Sequence, residues 1–173
     1  ASDNFPAMRV YDVYASHSWA SGTSPFADAN NQESTSEAVA AWMGLRLWAG
    51  VSGDQALADQ AAWMQSSEAD AALKYWLNFN VDDPLYAPLD HSYLPLNFGG
   101  KRDFATWFSA DPEAGLAIQV LPVTPASTYL GVDRARVAAN VGEALTADTF
   151  NRTYGDLLLA YWALSGPQAR EQA

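Results

Sequence analysis

The sequence predicts a mainly α-helical fold. Three observations point to it. Two long stretches, 34–50 and 54–77, carry apolar residues at helical spacing, only Val51-Ser52-Gly53 separates them, and a third periodic stretch spans 150–164. With 173 residues, 49% of them hydrophobic, the chain suits one domain with a sizeable core and is excluded from the disordered class. Nine basic against 20 acidic residues leave a net charge of −11, so nucleic acid and acidic membrane surfaces are excluded as partners. No apolar run approaches the roughly 20 residues that span a bilayer, and Ala1-Ser2-Asp3-Asn4 does not begin a signal peptide. The absence of cysteine excludes a disulfide framework, a thiolate zinc site and a Cys nucleophile. Only His17 and His91 are present, which argues against a His-rich metal site, and no cofactor is expected. Carboxylates, hydroxyls and aromatics remain. The seven Trp, eight Tyr and seven Phe suit either a large core or the stacking of sugar rings.

Residues 1–32 read as loop, broken by Pro6, Gly22, Pro25 and the polar run Asp28–Gln32. A helix follows, capped by Asn31 or Ser34, with Glu33 and Glu37 near its start and Ala38, Ala41, Trp42, Leu45 and Trp48 on one stripe. Gly50 ends it. Asp54 caps a second helix reaching about Leu77, with Leu57, Ala61, Met64 and Ala72 facing inward, and the short connector makes the two antiparallel neighbours. Residues 78–111 are irregular yet aromatic, as expected of an ordered segment lying over a site. Helices at Glu113–Leu121 and Arg134–Leu145 come next. The last helix places Phe150, Tyr154, Leu157, Tyr161 and Leu164 on one face and stops at Gly166-Pro167. A single domain over 1–173 is expected.

Glu33 and Glu37 carry the sharpest chemical signal. At i, i+4 on a helix their Cβ atoms would lie about 5–6 Å apart on one face, with no Lys or Arg one turn away to offset the repulsion. Such a pair can hold a water and take its proton; equally, two solvated glutamates are favoured at a helix N-terminus. The pair cannot complete a glycosidase alone. An inverting enzyme sets its carboxyls roughly 6.5–9.5 Å apart across the scissile bond, and two groups on one helix face point the same way.

A second constellation, Asp12 to Gly22, offers a carboxylate, an imidazole, hydroxyls and the Trp19 indole in one loop. Adjacent His17 and Ser18 make no nucleophile pair, and no Gly-x-Ser-x-Gly elbow is present. Trp19 and Trp107 can be sugar platforms or core. Asn151-Arg152-Thr153 fits a glycosylation sequon, and Asp82, Asp83 and Asp90 lack calcium-loop spacing.

His17-Ser18-Trp19-Ala20-Ser21-Gly22, then Asn31-Gln32-Glu33-Ser34-Thr35-Ser36-Glu37-Ala38-Val39, resemble the core signature of glycoside hydrolase family 81, the endo-β-1,3-glucanases. Thr106-Trp107-Phe108 and Leu121–Ser127 extend the resemblance in the same order, so it covers about Asp12 to Leu130. It implies inverting hydrolysis of internal β-1,3-glucosidic bonds in a groove of an (α/α)6 toroid, on a secreted protein. It also makes Glu33 and Glu37 the active-site carboxylates; Glu33, nearer the helix N-terminus whose dipole favours an ionised carboxylate, is expected to be the base, with Glu37 positioning the water or sharing its proton. By the same resemblance Asp12, Tyr14, His17, Trp19, Asn31 and Trp107 bind the β-1,3-glucan.

One departure is plain. The family's general acid is an Asp in a His-rich segment upstream of the His17–Gly22 motif, and nothing similar stands in this sequence. The chain therefore resembles the C-terminal half of a catalytic domain, carrying the base side of the reaction and only part of the toroid. The alternative is a β-1,3-glucan-binding protein without catalysis. Half a toroid leaves apolar faces uncovered, so docking to the missing N-terminal half or self-association is expected.

Overall fold

The Asp54 side chain accepts the Leu57 amide at 3.0 Å, the capping bond expected from the sequence. In the computed structural model, which describes residues 11–20, 27–77 and 90–172, this cap starts α2 (Gln55–Tyr75), and α1 (Thr35–Ser52) precedes it. The two helices pack together along the hairpin. Ala38, Val39, Trp42 and Ala49 are buried on α1, and Ala61, Met64, Ala71 and Ala72 on α2. Two expectations are corrected here. Gly50 lies inside α1, and Gly53, with φ +75°, is the residue that ends it, its amide donating to Ala49 O. Ala41 and Trp48 face solvent, so the buried stripe of α1 is narrower than its apolar letters suggest.

The second half builds a separate apolar centre. It contains α3 (Pro112–Ala117), α4 (Arg134–Ala144), α5 (Gly155–Trp162) and α6 (Pro167–Gln172), with 3₁₀ turns at Pro125–Gly131, Thr149–Asn151 and Ala163–Ser165. Leu77, Tyr93, Leu116, Val120, Leu130, Val137, Val141, Leu158 and Tyr161 are fully buried there. Phe150, Tyr154, Leu157 and Leu164 pack against this centre as their period indicates. The α-helix itself nevertheless begins at Gly155, not Phe150. The chain folds back so tightly that a Cβ on residue 155 would collide with the Phe150 backbone. Past Gly166, α6 starts with Pro167 at its first position, an additional short helix that the sequence reading ended too early to include.

Among the described residues, the regions read as irregular hold five short strands. β1 (Tyr11–Asp12) pairs antiparallel with β2 (His17–Ser18), setting Asp12 opposite His17. β3 (Asn31–Gln32), β4 (Leu96–Phe98) and β5 (Arg102–Asp103) form an antiparallel sheet in that order, with Asn31 opposite Phe98 and Gln32 opposite Asn97. Strands of two or three residues contain no full alternation, so the period-two signal never develops. Among the residues singled out in the sequence, Pro6, Ser21, Gly22, Pro25, Asp82 and Asp83 lie outside the described residues.

Candidate active site

The small sheet delivers Glu33. β3 ends at Gln32, Ser34 occupies the N-cap position with φ −114° and ψ 79°, and the helix starts at Thr35. Glu33 therefore precedes the helix, while Glu37 lies in its first turn. The expected stacking of both glutamates on one helical face does not form, because i, i+4 proximity requires both residues inside the helix. Their environments differ accordingly. The Glu33 side chain is half-buried, and its Oε2 accepts the Trp107 backbone amide at 3.0 Å. Glu37 is exposed, and its carboxylate takes no partner among the described residues.

The loop after β5 brings Trp107 to this point. Thr106 is buried and closes a tight turn, its Oγ1 accepting the Ser109 amide at 2.9 Å and its own amide donating to Ser109 O at 2.8 Å. That turn aims the Trp107 amide at Glu33. The Trp107 indole, 55% exposed, donates from Nε1 to Asn31 Oδ1 at 3.3 Å and meets Phe98 edge to face at 5.7 Å. Glu33, Asn31 and Trp107 thus form one cluster.

Asp12, His17 and Trp19 form a second. Asp12 Oδ2 accepts the Trp19 indole at 3.1 Å, and Oδ1 accepts the Tyr14 and Ala15 amides at 2.9 and 3.2 Å. The Trp19 bond, outweighing the cost of partial burial, holds the Asp12 carboxyl below its ordinary range. His17 stands edge-on to Trp19 at 4.5 Å and to Trp76 at 4.9 Å. Its burial lowers the imidazole pKa despite the Ser18 carbonyl and the Glu68 and Asp12 charges. A carbonyl only accepts, so the 2.9 Å contact with Ser18 O places the proton on Nδ1. Tyr14, at the tip of the β1–β2 turn, is 97% exposed and its ring joins neither cluster.

The clusters are neighbours. Ala20 N donates to Asn31 O at 2.8 Å, and Trp76, against His17, donates from Nε1 to Gln32 O at 3.1 Å. Beside them opens a cleft of about 200 Å³ lined by Ala15, His17, Trp19, Tyr75, Trp76, Asn97, Phe98 and Arg102. Phe98 joins the two, lining the cleft and touching Trp107.

Two supporting residues escaped the sequence reading. Glu68, 1% exposed on α2, accepts the Ser18 amide at 2.9 Å, the Ser18 hydroxyl at 2.7 Å and the Trp42 indole at 3.0 Å. It ties the His17-bearing strand to both long helices. Gln119, fully buried, donates to the Glu33 and Pro95 carbonyls. Both carried a signal, a polar residue inside an apolar pattern: Ala61, Met64, Glu68, Ala72 and Ala117-Ile118-Gln119-Val120-Leu121.

Residues 1–169 match the family model of the glycosyl hydrolase family 81 C-terminal domain, and the chain belongs to that family. It is 35% identical over 168 residues to a glucan endo-1,3-beta-D-glucosidase of Acetivibrio thermocellus, covering 95% of this chain and 22% of that protein. It is 33% identical to a glucan endo-1,3-beta-D-glucosidase of Thermobifida fusca, covering 96% of this chain and 22% of the relative. The primary septum glucan endo-1,3-beta-D-glucosidase of Schizosaccharomyces pombe is 32% identical, with 95% of this chain and 16% of the relative covered. A solved glycoside hydrolase family 81 structure from Clostridium thermocellum superposes with a TM-score of 0.85 at 33% identity, over 97% of this chain and 24% of that one. The chain thus spans about a quarter or less of the length of these relatives. The mainly helical fold expected from the sequence is that of a helical-toroid family.

Proposed function

We propose that this chain supplies the base side of a site that hydrolyses internal β-1,3-glucosidic bonds with inversion. It does so as one domain, part of a toroid, on a secreted protein. The observation that carries the reading is the fixed carboxylate of Glu33 beside exposed aromatic surface. Trp107 N–H occupies Oε2, and Oε1 has no partner among the described residues. In the reaction, Oε1 takes a proton from water as the water oxygen attacks the anomeric carbon. The bond to the leaving glucosyl oxygen breaks, and a general acid outside this chain protonates that oxygen. Glu37, in the first turn of α1, orients the water. Asp12, Tyr14, His17, Trp19, Asn31 and Trp107 contact the glucan, with Trp107 and Trp19 offering the faces on which sugar rings stack. Names of relatives at 32–35% identity support the substrate class.

The exposure of the Trp107 indole also favours a second reading, a β-1,3-glucan-binding chain without turnover. Calorimetry with laminarihexaose beside a laminarin reducing-sugar assay separates them. Binding together with product, once the acid-bearing part is supplied, supports the enzyme. Binding without product under those conditions supports the second reading, and no binding defeats both.

A further inference from the structure

Gln119 stands just past α3 with no solvent exposure, and its amide makes three hydrogen bonds, to Glu33, Thr35 and Pro95. Nε2 donates to the carbonyl of Glu33 and to that of Pro95, the latter at 2.8 Å. Oε1 accepts the Thr35 hydroxyl at 2.8 Å. One buried amide thereby grips the backbone of Glu33 itself, the side chain two residues later, and the residue just before β4. The neighbouring hydroxyls extend the seam. Ser36 Oγ donates to Leu121 O at 2.5 Å and Ile118 O at 3.3 Å, and Ser34 Oγ reaches Ile118 O at 3.4 Å. The hydroxyl run Ser34-Thr35-Ser36 therefore serves residues 118–121 and not the helix cap, since Ser34 makes no capping bond. Strand pairing fixes the chain up to Gln32 and helical bonds fix it from Thr35 onward. Between them, Gln119 sets the direction in which Glu33 leaves the backbone.

We infer that Gln119 is the positioning residue for the Glu33 carboxylate, holding it where Trp107 N–H meets Oε2. The inference rests on the reading of Glu33 as the base, yet it concerns placement, which is observable without turnover. An amide that donates to a carboxylate changes its proton shift when that carboxylate ionises, so the Trp107 amide reports the geometry directly.

The test follows the Trp107 amide proton by NMR across acidic pH in the wild-type chain and in Glu33→Gln, Gln119→Met and Thr35→Val. Glu33→Gln identifies the part of the titration that belongs to Glu33. Gln119→Met keeps the length of the side chain and removes its three hydrogen bonds. The expected result is loss of the Glu33-dependent titration in Gln119→Met, with amide shifts of the α1–α2 hairpin at their wild-type positions. A full wild-type titration in folded Gln119→Met overturns the inference. Should Gln119→Met not fold, Thr35→Val decides: it removes only the hydroxyl that orients the amide, and a reduced Trp107 titration upholds the placement whereas an unchanged one overturns it. Where the acid side is supplied, kcat falls in Gln119→Met while KM holds. A wild-type chain that neither binds nor cleaves glucan defeats the base reading and leaves the Trp107 measurement to judge Gln119 independently.

Discussion

The backbone amide of Trp107 donates to Glu33 Oε2 at 3.0 Å, while the indole of the same residue donates to Asn31 Oδ1 at 3.3 Å. One residue thus spans the turn from β3 into α1, gripping a carboxylate with its backbone and a strand with its ring. On the proposed reading, the sugar-facing ring and the base share a single anchor.

Removing the ring therefore weakens glucan binding without releasing Glu33, whose contact is to the backbone. Trp107→Ala is expected to cost about 2 kcal/mol of affinity, roughly thirtyfold in Kd for laminarihexaose by calorimetry. Asn31→Ala costs less, about 1 kcal/mol, because the ring stays and only its hydrogen bond goes. Equal affinity of Trp107→Ala and wild type would remove Trp107 from the binding surface.

Glu68 is expected to matter for stability before anything else. Its replacement by Ala strands the Ser18 amide and the Trp42 indole in a dry interior, together with the Ser18 hydroxyl. The loss is about 3 kcal/mol or more at roughly 1–3 kcal/mol per unsatisfied buried group, which lowers Tm by about 6–12 °C in a chain of this size. A thermal melt unchanged within about 2 °C contradicts this account of Glu68.

Much of the sequence's legibility came from long elements, where periodicity has room to accumulate. The cap at Asp54, the stripe Ala61–Met64–Ala72 and the face Tyr154–Leu157–Tyr161 were all readable and all stand. The motifs named the candidate residues, but the geometry that brings them together was not readable. Glu33 and Glu37 look like one helical pair because spacing carries no information on where a helix begins. Ser34 could as well have been a first-turn residue, and only its hydroxyl's commitment to Ile118, 84 positions away, reveals a segment held from outside. The same holds for Trp107, which reaches Glu33 across 74 positions. Asn97 and Arg102 reach the cleft through strand pairings too short to leave a pattern, and Tyr75 and Trp76 reach it from the end of α2.

Acid should loosen the second half of the molecule. Burial alone would raise the pKa of Glu113, but donors from Thr146, Thr149 and Arg152 outweigh it and the net shift is downward. Burial likewise raises Glu143, and Ser92 and His91 reverse it. A carboxylate with a depressed folded pKa contributes stability fully above its unfolded value, near 4.5 here, and loses it as pH falls through the folded value. His17 adds a loss that starts earlier. Its imidazole is buried uncharged with a pKa below 6.5, so the unfolded chain binds the proton first and stability declines as pH drops below 6.5. Denaturant midpoints measured from pH 7 downward should fall in both ranges. Glu113→Gln should flatten the lower one, and a midpoint independent of pH contradicts the assignment.

Gly115 couples core packing to the site. A Cβ there would lie 2.6 Å from Pro95 Cγ, and Pro95 is the residue whose carbonyl Gln119 holds. Gly115→Ala is expected to destabilise by about 1–3 kcal/mol as α3 and Pro95 are forced apart. Thermal denaturation checks it, and an unchanged Tm would mean that Pro95 yields without cost.

The most direct measurement is laminarin hydrolysis by Glu33→Gln, made in whichever preparation of the wild-type chain, alone or with the acid-bearing part, releases reducing sugar. Loss of about 10²–10⁴-fold in turnover, with laminarihexaose affinity near that of wild type, is the result expected of a general base. Turnover retained at the wild-type rate would contradict the account.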